Sequence, residues 1–371
     1  MKTMAGKQFP HVRNALLCLR YGIGDLVMEL PAVHELRALL PKARITGLGA
    51  RPAIELLAGE PVVDELVCVQ DFGLRDWADH GSEGSREAFA QWLAARGFDL
   101  VIDPTHAVSG AAAVIWQHHR AILDAGESIQ NEALAKGADG LAAVKAAVRE
   151  GWGLALDEAT VPVLRLRPEE RTFAETFLEE HGCAGQRLLG VSPVASSPLK
   201  RWPVACLAAA ADSLLVGALD ALLVFCGPLE EGSQFISHLR HRRRARLVSD
   251  LHLRRVAALL ARCRLFVGND TGLLHLAAAV GVPVAGVYGP TSPAIYRPPG
   301  GKAVVPRVWC PHRKAGSFGP PACIAQDRCL TEAGSCIATI AVGDLLAALR
   351  EGAGRWARPA LAVAGSGEGG P

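Results

Sequence analysis

Side chains that could do chemistry are concentrated between residues 266 and 291, where an apolar run gives way to Asn-Asp-Thr-Gly and then to a helical pattern. The pattern predicts that a strand ends near Val267 and that a helix begins near Thr271. The N-terminus of a helix presents unpaired NH groups and the positive end of the helix dipole, which together favour an anion. Thr271 and Gly272 are therefore candidates for binding a phosphate group.

Two neighbouring residues extend this candidate site. His275 lies one helical turn beyond Thr271, so one ligand could touch both side chains. Asp270 would repel a diphosphate, and hydrogen bonds to sugar hydroxyls or to helix NH groups suit it better. Each residue also has an ordinary structural explanation, because Asp and Thr are common N-caps and a helical histidine is often packed. From this stretch alone, ligand binding and an ordinary capping or packing role are equally open.

A second polar loop lies within residues 188–203, where it follows a predicted strand. Hydroxyls and cations gathered in one loop suit the oxygens of a diphosphate. The candidate residues in this loop are Ser192, Ser196, Ser197, Lys200 and Arg201. Glu230 and Glu231 follow another strand-end Gly-Pro, where a carboxylate could accept hydrogen bonds from ribose hydroxyls. A glutamate in the first turn of a helix is also expected on electrostatic grounds.

A third candidate lies near the start of the chain, where a strand leads through Gly22 and Gly24 into a helix. The two glycines would permit close approach of a substrate, and Asp25 would face a cleft if two sheets met there. Asp25 as a simple N-cap is the alternative. The motif is not a dinucleotide fingerprint, since the third glycine and the later acidic residue are missing.

The elements that must position these loops alternate between short apolar strands and amphipathic helices, which predicts parallel sheets covered by helices. The pattern begins afresh near Gln186, after a proline-containing polar turn at 164–170. We therefore expect an N-terminal domain at 1–166, a C-terminal domain at 167–345, and a helix and tail at 346–371, with the helix from Val342 packing back onto the first domain. The predicted strands are 15–20, 44–50, 65–69 and 99–104 in the first unit, and 187–193, 221–228, 246–248, 264–268 and 283–289 in the second.

The bulk composition supports a two-domain globular protein. The chain has 371 residues, half of them apolar, and a net charge of +2. That charge gives no global field for nucleic acid, so no nucleic-acid partner is expected. The sequence shows neither a secretory leader nor an apolar run of about 20 residues, which favours a cytoplasmic location. The basic run 238–247 is interpreted as a solvated helix face, with peripheral attraction to anionic lipid headgroups at the inner membrane as the alternative.

Four of the ten cysteines fall in one C-terminal segment: Cys310, Cys323, Cys329 and Cys336. None forms the C-x-x-C pair that is typical of zinc sites. Packed or free thiols are therefore favoured over a metal site, which is retained as the alternative.

The three polar loops together resemble the family 9 glycosyltransferases, the heptosyltransferases that build the lipopolysaccharide inner core. The resemblance rests on R-x-G-x-G-D-x-x-x-x-x-P-A at 20–32, S-P-x-A-S-x-x-x-K-R-W-P at 192–203, and N-D-T-G-x-x-H-L-A-A-A-x-G-x-P with Y-G-P-T at 269–291. It implies an α/β protein of the GT-B class, in which two Rossmann-like, doubly wound parallel-sheet domains face each other across a cleft. It also implies an ADP-heptose donor held by the C-terminal domain, and a glycan or lipid-linked saccharide acceptor held by the N-terminal domain.

The resemblance also assigns roles to residues. Asp25 is implied as the catalytic base, and Lys200, Asp270, Thr271, Gly272 and His275 are implied to contact the donor. The chemistry agrees, because a carboxylate can take the proton from an acceptor hydroxyl and a cation can stabilise a departing diphosphate. The sequence contains no Asp-x-Asp, which favours a clamp that needs neither a metal nor another cofactor. Gly22, Gly24 and His106 are the candidates on the acceptor side.

Two other functions stay open at this point. The same architecture could serve a sugar-nucleotide epimerase or hydrolase, which would release an isomer or a free sugar. It could also serve a non-catalytic sugar-nucleotide-binding protein.

Overall fold

The first lobe is built around a five-stranded parallel sheet. The computed structural model of the protein describes residues 9, 11–20, 22–75, 79–103, 115, 122–124, 127–227, 229–308, 310–313, 321–331 and 334–351. The strands are β1 (Asn14–Cys18), β2 (Arg44–Gly49), β3 (Glu65–Cys68), β4 (Leu100–Asp103) and β5 (Ile122–Asp124), in the order β3-β2-β1-β4-β5. Every neighbouring pair runs parallel. The order reverses beside β1, so a crevice opens at the carboxyl end of that strand.

The second lobe contains a six-stranded sheet of the same kind. Its strands are β6 (Leu188–Ser192), β7 (Ala221–Phe225), β8 (Ala245–Val248), β9 (Cys263–Asn269), β10 (Val284–Val287) and β11 (Lys302–Val304), in the order β11-β10-β9-β6-β7-β8. All of these pairs are parallel as well. Here the order reverses between β6 and β9. The prediction of two doubly wound parallel sheets is confirmed.

Helices cover both sheets. The helices of the described residues are α1 (Ile23–Leu39), α2 (Glu83–Arg96), α3 (Glu127–Ala135), α4 (Gly140–Trp152), α5 (Pro168–Glu180), α6 (Val204–Gly217), α7 (Leu229–Ser237), α8 (Leu253–Leu260), α9 (Gly272–Ala279), α10 (Pro293–Tyr296), α11 (Ala322–Ala325) and α12 (Val342–Arg350). None of them is long and apolar enough to cross a membrane. Helix α12 packs on α6 and β11 of the second lobe, so its expected packing onto the first domain was wrong. Its buried Leu345 and Leu349 join the apolar core of the second lobe.

The two lobes share a continuous apolar core. Leu26 and Leu30 of α1 belong to the same buried cluster as Leu274 and Leu276 of α9. Helix α1 is therefore buried on several sides, because it packs against α4 and α9 as well as beside its own sheet. Close packing of this kind fixes α1 in place at the interface between the lobes.

A buried charge cluster joins the lobes at a second place. The guanidinium of Arg254, on α8, is 1% exposed and pairs with Glu170 at 2.5 Å and with Glu60 at 2.7 Å. It also donates to the carbonyl oxygens of Leu56 and Arg165. Arg254 thus binds the second lobe both to the first lobe and to the segment that connects them. Buried charges of this kind are tolerated only when every partner is in place.

This cluster yields a prediction about stability. Replacing Arg254→Met should lower the free energy of unfolding by about 3–5 kcal/mol, because two carboxylates would lose the cation that compensates their burial. Denaturant unfolding followed by circular dichroism measures the change. Arg262→Met is the matched control, since Arg262 is half exposed and pairs with Glu175 at 3.5 Å; its effect should stay within about 0.5 kcal/mol. Equal stability of the two variants would contradict the role given to Arg254.

Candidate active site

The carboxyl ends of β1, β6 and β9 point into the same interlobe cleft. The crevice at β1 and the crevice between β6 and β9 therefore form opposite walls of one cavity of about 420 Å³. Parallel α/β sheets bind their ligands at such reversal points. Asp25 lines this cavity, together with eight of the residues that the sequence predicted for the donor and acceptor sites. These eight are Gly22, Gly24, Ser196, Lys200, Asp270, Thr271, Gly272 and His275.

The two walls touch through glycines at the N-termini of α1 and α9. A Cβ added at Gly272 would lie 2.6 Å from the Cβ of Ile23 and 2.9 Å from the backbone nitrogen of Gly24. A Cβ added at Gly24 would lie 3.0 Å from a ring carbon of His275. These glycines therefore permit contact between the lobes. From the sequence, the missing side chains at these glycines were expected to permit close approach of a ligand instead.

Asp25 lies in the first turn of α1, half exposed to the cleft. Its carboxylate folds back over Gly22, where a Cβ would come within 2.2 Å of Asp25 Oδ2. Gly22 thus makes room for the carboxylate of the predicted base. One turn further along α1, Glu29 is buried on the cavity floor and pairs with Arg20, with 2.5 Å between Glu29 Oε1 and Arg20 Nε.

On the opposite wall, Lys200 and Asp270 form an ion pair. Lys200 Nζ lies 2.7 Å from Asp270 Oδ2, and the hydroxyl of Thr291 donates to the same oxygen at 2.8 Å. Asp270 is 4% exposed. Its carboxylate therefore orients the ammonium group of Lys200, a role that differs from the sugar or backbone contacts expected from the sequence.

The loop that carries Lys200 is fastened by the buried side chain of Asn269. Its Oδ1 accepts from the backbone NH of Trp202 at 2.9 Å, and its Nδ2 donates to the carbonyl of Pro193 at 2.8 Å. The indole NH of Trp202 donates to the carbonyl of Ile340. Asn269 ends β9 and the loop follows β6, so one amide fixes the two strand ends relative to each other.

Thr271 and His275 complete this wall. Thr271 is the N-cap of α9, and its buried hydroxyl has no hydrogen-bond partner among the described residues, so it is available to a ligand. Burial lowers the pKa of His275 below its ordinary value of 6.5, although the charges of Asp270 and Asp25 oppose this effect. The imidazole is therefore neutral at pH 7 and serves as a hydrogen-bonding group rather than as a cation.

A second cavity of about 590 Å³ adjoins the first and shares Ser196, Thr271 and Gly272 with it. Its other walls come from the carboxyl ends of β7 and β8. These strand ends and the segments after them supply apolar side chains: Phe225, Val248, Leu251, Leu253 and Val256. Glu231 of α7 also lines the cavity and forms an ion pair at 2.9 Å with Arg201 from the loop after β6. An apolar recess with a few polar groups suits a flat heterocycle.

Some predicted residues lie elsewhere. Glu230 is exposed and lines neither cavity, whereas its neighbour Glu231 lines the second one. Ser192 is fully buried at the end of β6 and lines neither cavity. His106 lies outside the described residues.

The four C-terminal cysteines are free thiols. The pKa values of Cys323 and Cys336 are raised, mainly by burial and further by the charge of Cys310. Within the described part of the chain, however, no three His, Cys, Asp or Glu side chains are grouped so that they could hold a metal ion.

Comparison with known proteins identifies the family. The family model described as "Glycosyltransferase family 9 (heptosyltransferase)" matches residues 86–316, more than half of the chain. The chain belongs to glycosyltransferase family 9. Lipooligosaccharide heptosyltransferase 2 of Haemophilus influenzae is 34% identical over 160 residues, which are 40% of this chain and 46% of that protein. In this match the chain spans about half the length of its curated relative.

Solved structures show the same fold in family 9. A glycosyltransferase of this family from Veillonella parvula superposes with a TM-score of 0.71 at 19% identity, over 93% of this chain and 98% of that one. The Escherichia coli ADP-heptose LPS heptosyltransferase II superposes with a TM-score of 0.66 at 18% identity, over 91% and 98% of the two chains. The predicted GT-B architecture and the predicted family membership are confirmed.

Sequence reasoning missed several residues that line or support the two cavities. Glu29 has a local signal, since it is an acidic residue one turn after Asp25 in an otherwise apolar stretch. Asp250 follows β8 at the carboxyl edge of the sheet and lines the second cavity, with a φ of 53° in the left-handed region. The role of Asn269 had no local signal, because its partners lie more than 60 residues away.

The contact between the helix ends yields a prediction. Gly272→Ala should destabilise the protein by about 1–3 kcal/mol, because its Cβ would meet the backbone of the other lobe. Thermal unfolding measures the loss. Gly343→Ala is the control, since it is a helical glycine whose added Cβ would have nothing within 4 Å. That variant should be as stable as the parent or slightly more so. A neutral Gly272→Ala would show that the lobes do not close upon each other at this point.

Proposed function

We propose that this family 9 protein is an inverting glycosyltransferase that moves a heptose from ADP-heptose to a hydroxyl group of a cell-envelope saccharide such as the lipopolysaccharide inner core. The observation that carries the proposal is the placement of Asp25 opposite Lys200 and the N-terminus of α9, across a single cavity. The proposed base for the acceptor and the proposed cation for the leaving group therefore face the same cavity. The names of the relatives support heptose as the sugar.

The two adjoining cavities suggest how the donor lies. The apolar recess at the ends of β7 and β8 suits the adenine ring, and Glu231 and Asp250 supply carboxylates on its wall for ribose hydroxyls. The shared boundary at Ser196, Thr271 and Gly272 then receives the diphosphate, where the helix dipole and unpaired donors favour anionic oxygens. This placement puts the sugar in the first cavity, between Lys200 and Asp25.

The proposed chemistry is a single displacement. Asp25 takes the proton of the acceptor hydroxyl as its oxygen forms a bond to the anomeric carbon of the donor sugar. The bond from that carbon to the diphosphate oxygen breaks, and its electron pair leaves with ADP. Lys200 and the N-terminus of α9 stabilise the negative charge as it grows on the diphosphate. Attack from the side opposite the leaving group inverts the anomeric centre.

The positive charge required for this step comes from the protein in our proposal. Lys200 is held in place by Asp270, and the chain contains no Asp-x-Asp motif to bridge a diphosphate through a divalent cation. Transfer should therefore persist in the presence of a chelator. A lipid-linked acceptor would bring the protein from the cytoplasm to the inner-membrane surface, and the exposed arginines of the 238–247 run would suit anionic headgroups there.

The proposal predicts separate effects for the two walls. Asp25→Asn should lower the transfer rate at least about 100-fold while leaving ADP-heptose affinity nearly unchanged, because an amide cannot accept the proton. Lys200→Gln should instead weaken donor binding by about tenfold or more. Coupled assays of ADP release and titration calorimetry measure the two quantities. Full turnover by Asp25→Asn would remove this residue from the mechanism.

Product analysis of the parent protein tests the reaction class. Mass spectrometry should find the heptose attached to the acceptor. Free sugar or an isomerised nucleotide sugar would indicate a hydrolase or epimerase, and donor binding without any product would indicate a binding protein.

A further inference from the structure

The floor of the first cavity carries a charge pair that the proposed mechanism does not use. Glu29 is 2% exposed and the side chain of Arg20 is 13% exposed, and both line the cavity together with Asp25. Arg20 lies beyond the carboxyl end of β1, and Glu29 lies one turn after Asp25 on α1. Spacing of four residues puts Asp25 and Glu29 on the same face of the helix.

A buried ion pair in this place contributes little to stability, because desolvation offsets the attraction between the charges. Apolar residues would fill the floor of a cleft equally well, and α1 is otherwise apolar around this point. The pair is therefore better explained by its effect on the group next to it. That group is Asp25, the predicted base.

The described charged groups around Glu29 come from several elements. Arg20 pairs with it directly, Asp25 faces it from its own helix, and Asp103 approaches from the end of β4. Lys200 and His275 belong to the opposite wall of the cavity. Burial raises the pKa of Glu29 to about 7, with Arg20 opposing this rise and the two aspartates adding to it.

We propose that Glu29 is a positioning residue for the proton transfer to Asp25: its carboxylate holds the guanidinium of Arg20 on the cavity floor and so keeps that cation from pairing with Asp25. The inference rests on the proposed function. Without Glu29, Arg20 would turn its charge toward the remaining carboxylates of the cleft, including Asp25. A guanidinium next to a carboxylate stabilises the charged form and so weakens that carboxylate as a base.

The charge state of Glu29 sets the direction of the pH dependence. Below about pH 7 Glu29 is protonated and has no charge to hold Arg20; above about pH 7 it is charged and pairs with the guanidinium. The transfer rate should therefore rise as the pH increases through 7. Stability follows the opposite course. A carboxyl group whose pKa is raised by folding contributes stability below its unfolded value near 4.5, and this contribution is lost as the pH rises through about 7.

Glu29→Gln tests both consequences, because glutamine has the same shape and no charge. We expect kcat of this variant to match the parent at pH 5.5 and to be about tenfold lower at pH 8.5, where only the parent carries the negative charge that holds Arg20. The melting temperature of the variant relative to the parent should rise between pH 5 and pH 8. Glu29→Asp should recover part of the rise of kcat with pH. Glu35→Gln, an exposed change on the same helix, should behave like the parent.

The outcomes separate this inference from the function on which it rests. If the parent transfers heptose and Glu29→Gln keeps the parent's pH profile, the inference is wrong and the proposed function stands. A difference in melting temperature that does not change with pH would also overturn it, whatever the activity. If the parent itself transfers no sugar, both the proposed function and the role of Glu29 in it are rejected.

Discussion

The close approach of α1 and α9 through Gly24 and Gly272 is the constraint on which the site depends. Each helix begins at the carboxyl end of a central strand, so each carries functional groups in its first turn. Contact between helix ends that lack side chains brings Asp25 and the N-terminus of α9 to one cavity. Larger residues at these two positions would separate the lobes and widen the space between Asp25 and the N-terminus of α9.

Buried charge is handled in the same way at three places in the molecule. Lys200 is paired with Asp270, Arg20 with Glu29, and Arg254 with Glu170 and Glu60. In each case the pair joins segments that are distant in the chain or lie on the cleft. Paired charges hold each other in a fixed orientation, and where burial reduces screening by water their fields act more strongly on neighbouring groups. The pairs at Lys200 and Arg20 therefore fix the orientation of charged groups on the cavity walls, and the cluster at Arg254 joins the two lobes that form the cavity.

Much of the fold was predictable because parallel strands and their covering helices leave a strong local pattern. Strands β1 and β9 stand out as apolar runs that end in Gly-rich polar turns. The early part of α1 was predicted from the glycine turn that precedes it and not from its periodicity, since burial on several sides removes the alternation of polar and apolar faces. The short edge strands β5 and β11 were missed for a related reason: three residues are too few to show a period.

The sequence by itself determined the two doubly wound units, the family resemblance, and the residue types at each strand end. These properties are local, because a turn, a helix cap and an apolar period are formed by residues close together in the chain. Only the tertiary structure decided which of these residues meet. In the folded chain Glu231, and not Glu230, lines a cavity, and Asp270 pairs with Lys200. The space beside Gly24 and Gly272 is filled by the facing lobe. Such pairings depend on how two separately wound sheets pack, and no pattern within either unit encodes that geometry.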